Sequence, residues 1–261
     1  MSTKKRYVVF LDILGFKSIM DNINNTDELG DQMSHILQTS ILSAMKGDSV
    51  YVENNPSLDV SDIIKVYQFS DSIIIYTEDD DSETLYKLIK ILNLLLAQSL
   101  IRGFPLRGAL TSGDLFVNGS IIVGEPLVRA YQIESRQEWS GLIVDCPIDS
   151  TIATQLINEK LVTNHMVTLK GAKDSLELIS EAKLVINWPQ YCGLKVGSTD
   201  KLEDSMTKFS GKPKRQKDID KINRTVAFFI GNIGSKELPS FNFGVGRVVF
   251  NESGEALFMK K

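Results

Sequence analysis

Two hydrophobic rhythms share this chain of 261 residues. Continuous β-branched and aromatic runs mark buried strands, while apolar residues spaced three and four apart mark helices. Tyr7 to Leu11, in "YVVFLD", is of the first kind. Gly15 breaks it, and Phe16, Ile19 and Met20 open a helical spacing that resumes after "NINNTD" and runs from about Leu29 to Met45. Residues 47–61 read as a loop. Ile63 to Phe69 and Ile73 to Thr77 form a hairpin around a tight serine and aspartate turn. Leu85, Leu88, Ile89, Leu92, Leu95 and Leu96 then follow helical spacing, with Ser82 offered as N-cap, Glu83 in the first turn, and Gly103 and Pro105 closing the segment.

Strands are predicted next at about Leu106 to Thr111 and Gly119 to Val123, a helix from Pro126 to about Gln137, and a strand at Leu142 to Asp145. The order β, α, ββ, α, β, short β, α, β predicts an α+β fold. Its core is an antiparallel-rich sheet with helices on one face, of the ferredoxin-like or palm type. From Pro147 onward the pattern loosens: a helix near Ser150 to Glu159, short strands, "LVINWPQYCG", and a polar helical stretch through Phe229. Residues 1–146 are thus expected to form the core and 147–261 an α/β appendage packed on it.

Composition narrows the partners. The chain is 43% hydrophobic and 24% charged with a net charge of −4, so no global basic field announces nucleic acid or an anionic membrane. The one basic cluster, "GKPKRQK" at Gly211 to Lys217, has no interleaved aromatics for base stacking and reads as a solvated loop before a helix. Two cysteines, Cys146 and Cys192, without a C-x-x-C pair disfavour a disulfide framework or structural zinc. His35 and His165 are isolated. The short apolar run before Asp12 is neither a signal peptide nor a span, so a reducing cytoplasm and no membrane are expected.

The candidate chemistry lies in two acids. Asp12 ends the first strand, and Asp71 stands between the apolar runs of the hairpin in "KVYQFSDSIII". Singly, Asp12 has the reading of a helix cap and Asp71 that of a turn residue. Together they emerge at the same end of neighbouring strands, and magnesium or manganese needs only one or two protein carboxylates beside substrate phosphates. After Asp12, "DILGFKS" turns at Gly15 into a helix opening at Phe16, whose first amides point toward a bound anion. The motifs G-x-x-x-x-G-K-[ST] and G-x-G-x-x-G after a strand are absent.

In order, "VVFLDILGFKSIM", "YQFSDSIII" and "PLRGALTSGDLF…IIVGEPLVRAYQIES" resemble the metal strands, glycine turn and helix of class III nucleotidyl cyclases, over roughly residues 6–146. The resemblance implies a head-to-tail homodimer with sites at the interface. Each site would hold two divalent ions, Mn2+ or Mg2+, on Asp12, Asp71 and the backbone carbonyl of Ile13, beneath a nucleoside triphosphate. The ribose 3′-hydroxyl would attack the α-phosphate and expel pyrophosphate.

Two departures refine this expectation. Tyr67 stands four residues before Asp71, where purine cyclases usually carry lysine or glutamate; a phenol there narrows a base pocket toward a single ring, CTP or UTP, although core packing of a strand aromatic is the other reading. With "FSDS", "FPLRGAL" and "GEPLVRAYQIE", it makes the chain resemble the pyrimidine cyclases of bacterial Pycsar antiphage systems, whose cyclic CMP or cyclic UMP activates a separately encoded effector. Val128 and Gln132 occupy the positions of the transition-state asparagine and arginine of purine cyclases. Charge is then expected from Arg107 in the matching strand; Arg129 and Arg136, which share a helical face with Gln132, read either as further cations of the site or as a solvated or dimer-facing stripe. A catalytically silent nucleotide- or protein-binding domain and a purine cyclase are the alternatives.

Overall fold

The computed structural model describes residues 3–22, 25–46, 64–171, 177–192, 199–233, 241–243, 246–250 and 256–260. The loop expected over 47–61 lies outside them. Strand β1 (Lys4–Ile13) leads into helices α1 (Phe16–Asn22) and α2 (Thr26–Lys46), then the hairpin β2 (Ile64–Phe69) and β3 (Ser72–Thr77), helix α3 (Ser82–Ile101) and strand β4 (Leu106–Asn118). These four strands lie in the order β2-β3-β1-β4 with every pair antiparallel. That is the split βαβ arrangement the element order predicts, and the α+β class holds.

β4 then turns into the short β5 (Ile121–Val123), helix α4 (Glu125–Arg136) and β6 (Leu142–Asp145), which runs parallel to β4. After helix α5 (Ser150–Asn158), the strands β7 (Val162–Lys170) and β8 (Leu178–Ile186) make a nine-residue hairpin that extends the same sheet beyond β6. A 3-10 turn (Trp188–Tyr191) and helices α6 (Thr199–Thr207) and α7 (Gln216–Asn232) follow. The strands β9 (Phe241–Phe243), β10 (Gly246–Phe250) and β11 (Ala256–Lys260) form a separate antiparallel sheet.

Alternation along β1 decides which face is which. Val9, Leu11 and Ile13 join Ile73 and Ile75 in the main core, against the leucine stripe of α3, whose residues Leu85, Leu88, Ile89, Leu92 and Leu96 are buried. α3 is long and apolar enough to cross a bilayer, but 67% of that stretch is buried inside the protein. Its N-cap is Asp81, one residue earlier than Ser82, and the Asp81 carboxylate accepts the Thr84 amide at 2.7 Å.

The opposite face carries Val8, Phe10 and Asp12. α4 lies here: Tyr131 meets Phe10 edge to face at 5.5 Å between centroids, and the Pro126 carbonyl accepts the Thr111 hydroxyl at 2.7 Å. The apolar core is continuous from the first strands into the later helices, since Trp139, Trp188, Phe228 and Phe229 belong to the same cluster as Leu11 and Leu92.

Candidate active site

Register brings the site together. In the sheet Asp12 stands opposite Ser72 on one side and Arg107 on the other. The two-residue loop between Phe69 and Ser72 is Ser70 and Asp71, and Ser70 adopts φ 56°, the positive value a two-residue hairpin demands and glycine usually supplies. The hairpin tip is tied to the end of β1: the Ile13 amide donates to the Asp71 carbonyl at 3.2 Å, and the next amide, Leu14, donates to the Pro105 carbonyl at 2.8 Å. Gly15 then takes φ 79° and α1 opens at Phe16, whose ring packs against the core.

Asp71 stands beside Asp12 at the same sheet end, near enough to raise the pKa of its carboxyl. Burial, the neighbouring Glu134 and then Asp71 push the Asp12 carboxyl up to about 7, against the lowering pull of Arg107. Arg107 is the cation of the site. Its Nη2 lies 3.3 Å from Asp12 Oδ2, its Nε 2.5 Å from Glu134 Oε1, and its Nη1 donates to the Gln137 carbonyl at 2.9 Å. The Gln137 side-chain amide in turn donates to the Gly108 carbonyl at 2.6 Å, which fixes the end of α4 against β4.

Glu134 was not singled out by sequence reasoning. Its side chain is 4% exposed, and burial raises its carboxyl pKa against the pull of Arg107. In "VRAYQIESRQ" it reads as one more polar helical residue. One signal was present: Pro126, Ala130 and Glu134 fall at four-residue steps and are the three buried residues of α4, so the acid lies on the stripe that faces the sheet.

The other expected residues go elsewhere. Arg129 pairs with Glu125 at 3.3 Å and Asp145 at 3.2 Å, and Arg136 Nε donates to the Lys170 carbonyl at 2.9 Å. Gln132 is exposed. None of their contacts is with Asp12 or Asp71. Tyr67 shares the open face with Asp12, stacks on Tyr76 at 5.9 Å and donates its hydroxyl to the Gly119 carbonyl at 3.3 Å. It is 38% exposed and therefore no core aromatic. The face around it is apolar and open: Phe69 is 86% exposed, and Val128 and Tyr131 each 54%.

Neither cysteine is a nucleophile here, because burial pushes both thiols far up, Cys146 to about 12. Burial pulls His165 down to about 4 between Trp139 and Phe228, away from the acids. No cluster of three or more His, Cys, Asp or Glu side chains suited to a metal occurs among the described residues. The Asp12 and Asp71 pair nevertheless suits a hard divalent ion whose remaining ligands are water and phosphate oxygens.

Among solved structures, the chain is similar to the catalytic core of a rhodopsin-guanylyl cyclase with converted specificity in complex with ATPαS, at 17% identity and a TM-score of 0.41, over 70% of this chain and 95% of that one. It is also similar to an adenylate/guanylate cyclase/hydrolase from Silicibacter pomeroyi, at 12% identity and a TM-score of 0.43, over 71% of this chain and 98% of that one. No protein-family model matches the chain. No curated protein matches it either. The functional reading therefore rests on the side chains above.

Proposed function

We propose that this protein is a nucleotidyl cyclase that converts a pyrimidine nucleoside triphosphate, CTP or UTP, into its 3′,5′-cyclic monophosphate and pyrophosphate. The observation that carries the reading is the juxtaposition of Asp12 and Asp71 at one sheet end beside the Gly15 turn, where the Ile13 amide ties the hairpin tip to β1. Asp12 and Asp71, with the Ile13 carbonyl, would hold Mn2+ or Mg2+. When bound, such ions lower the charge of the phosphates and the pKa of the attacking hydroxyl. In the reaction the O3′–P bond forms, the bond from the α-phosphorus to the pyrophosphate oxygen breaks, the hydroxyl proton leaves, and pyrophosphate carries away the developing charge.

Each residue has a task in this reading. Arg107 anchors the Asp12 carboxylate and Glu134 anchors Arg107, so the acid pair is set before substrate arrives. Tyr67, stacked on Tyr76 at the edge of the open face, narrows the base site. The exposed Phe69, Val128 and Tyr131 form the surface on which a second copy docks, with the site at the interface. The resemblance to Pycsar cyclases adds the setting, a messenger for a separate antiphage effector.

A second reading, a silent cyclase-like domain, is favoured by one observation: exposed Val128 and Gln132 stand where an asparagine and an arginine would act. One experiment separates them. Purified protein incubated with each of the four ribonucleoside triphosphates and manganese should release a cyclic pyrimidine by mass, and Asp71→Ala should abolish it while thermal unfolding stays unchanged. A purine product removes the specificity, and no product from the wild type removes the activity.

A further inference from the structure

A short segment joins α4 to β6, and it grips β4 on both sides of Arg107. Ser140 Oγ donates to the Leu106 carbonyl at 2.7 Å, the Gly108 amide donates to the Gly141 carbonyl at 3.0 Å, and the Gln137 side-chain amide donates to the Gly108 carbonyl at 2.6 Å. Between these bonds Arg107 Nη1 donates to the Gln137 carbonyl at 2.9 Å. Gln137, Glu138, Trp139 and Ser140 are all buried. The place of the guanidinium, and of the Asp12 carboxylate 3.3 Å from it, is therefore set by where this segment lies.

The later part of the chain holds the segment from behind. The Ser140 amide donates to Thr225 Oγ1 at 2.8 Å, and the Thr225 hydroxyl donates its own proton to the Lys221 carbonyl at 2.9 Å, which leaves its lone pairs for Ser140. Arg224 Nη1 donates to the Glu138 carbonyl at 3.1 Å, and the Glu138 amide donates to the Thr168 carbonyl at 3.1 Å. The Glu138 carboxylate lies 3.1 Å from Lys170 Nζ and 3.7 Å from Lys221 Nζ. Through main chain and side chain alike, Glu138 is tied to α7 and β7.

Cohesion alone does not call for this pattern. Trp139 and Phe228 already join the two parts, and apolar contact is non-directional, so it holds α7 on the sheet without fixing how far along its axis the helix sits. A buried carboxylate such as Glu138 is costly unless paired. Directed hydrogen bonds from two consecutive residues of α7 supply what the rings cannot, a single register between the helix and the segment behind Arg107.

We propose that Thr225 and Arg224 are positioning residues, which act through residues 137–141 to hold Arg107, and with it Asp12, in the geometry of the active site. The inference rests on the cyclase reading for the use made of that geometry, and on the hydrogen bonds alone for the geometry itself. It gives α7 a task at the acid pair that it never touches.

The test is nuclear magnetic resonance of the intact protein carrying nitrogen-labelled arginine. The Arg107 Nε–H, which lies against Glu134, should give a slowly exchanging cross-peak, assigned by its absence in Arg107→Lys. Thr225→Val removes the acceptor of the Ser140 amide, and Arg224→Gln the guanidinium donor to the Glu138 carbonyl. Each should speed exchange of the Arg107 proton about tenfold well below the melting temperature, and Thr225→Ser should restore the wild-type rate. Ile230→Val, a truncation on the apolar side of the same helix, should lower the melting temperature and leave the cross-peak unmoved. In turnover of CTP or UTP, Thr225→Val should lower kcat about tenfold with little change in KM. Should Thr225→Val fail to fold, the half-buried Arg224→Gln decides in its place. Unchanged exchange in the folded variants overturns the inference, and so does equal acceleration by Ile230→Val or faster exchange with kcat unchanged. Faster exchange in variants of a protein that forms no cyclic product supports the positioning role and defeats the cyclase reading.

Discussion

Arg107 is held by three oxygens at once, from Asp12, Glu134 and the Gln137 carbonyl, and only 14% of its side chain is exposed. Removing it takes from Glu134, an acid with 4% exposure, its ion-pair partner and leaves only the more distant charge of Lys170. Breaking one partner out of such a buried pair costs about 3–5 kcal/mol. Arg107→Ala should therefore lose that much in denaturant unfolding, and adding Glu134→Gln should restore part of it. If the single variant unfolds like the wild type, the pair is not structural. Asp12 and Arg107 were legible because each lies near a strand end, where period-two alternation tells which side a residue faces, and Asp71 because two apolar runs bracket it as a turn. Glu134 was not, because the burial of a helical glutamate depends on a partner 27 positions earlier in the chain, and no local pattern records that.

Apart from β4, the strands of the first 146 residues lie within a few positions of those expected from sequence, and β6 lies at the predicted Leu142–Asp145. Their apolar runs are long and bounded by glycine or proline. β4 was read short at Thr111, since Ser112, Gly113 and Asp114 look like a turn; pairing with Lys4 to Tyr7 carries the strand on to Asn118. Long-range partners override local polarity there. The β7–β8 hairpin was read only as short strands, because its alternation mixes exposed and half-buried positions at the sheet edge. Within this architecture Gly108 marks the tightest approach of β1 to β4: a Cβ at that position would land on the Phe10 carbonyl oxygen. The colliding atom is backbone and cannot swing aside. Gly108→Ala should destabilise by about 3 kcal/mol, at the upper end for overpacking, and should weaken the proposed cyclisation as Asp12 moves away from Arg107. Retained stability in a thermal melt would mean that the two strands separate more easily than their register suggests.

At the scale of the molecule, the joint between the first 146 residues and the rest is aromatic. Trp139 meets Phe228 at 4.9 Å between centroids, His165 lies 5.4 Å from Trp139 and 4.8 Å from Phe228, and Trp188 stacks near Phe229. Burial holds His165 neutral down to about pH 4, whereas an unfolded histidine takes its proton near 6.5. Below 6.5 the unfolded chain therefore binds the extra proton, so stability falls as pH drops through the window from 6.5 to 4. Thermal midpoints measured at pH 7 and pH 5 should show this loss, and His165→Phe should flatten it; an unchanged slope would place the acid sensitivity elsewhere. The same seam bears on engineering. Anyone wishing to transplant the acid pair into a different scaffold cannot cut after Asp145, because the truncated piece would present Trp139 and the flank of β6 to water as a sticky scar. A portable version of this site has to travel with its later helices, at least as far as Asn232.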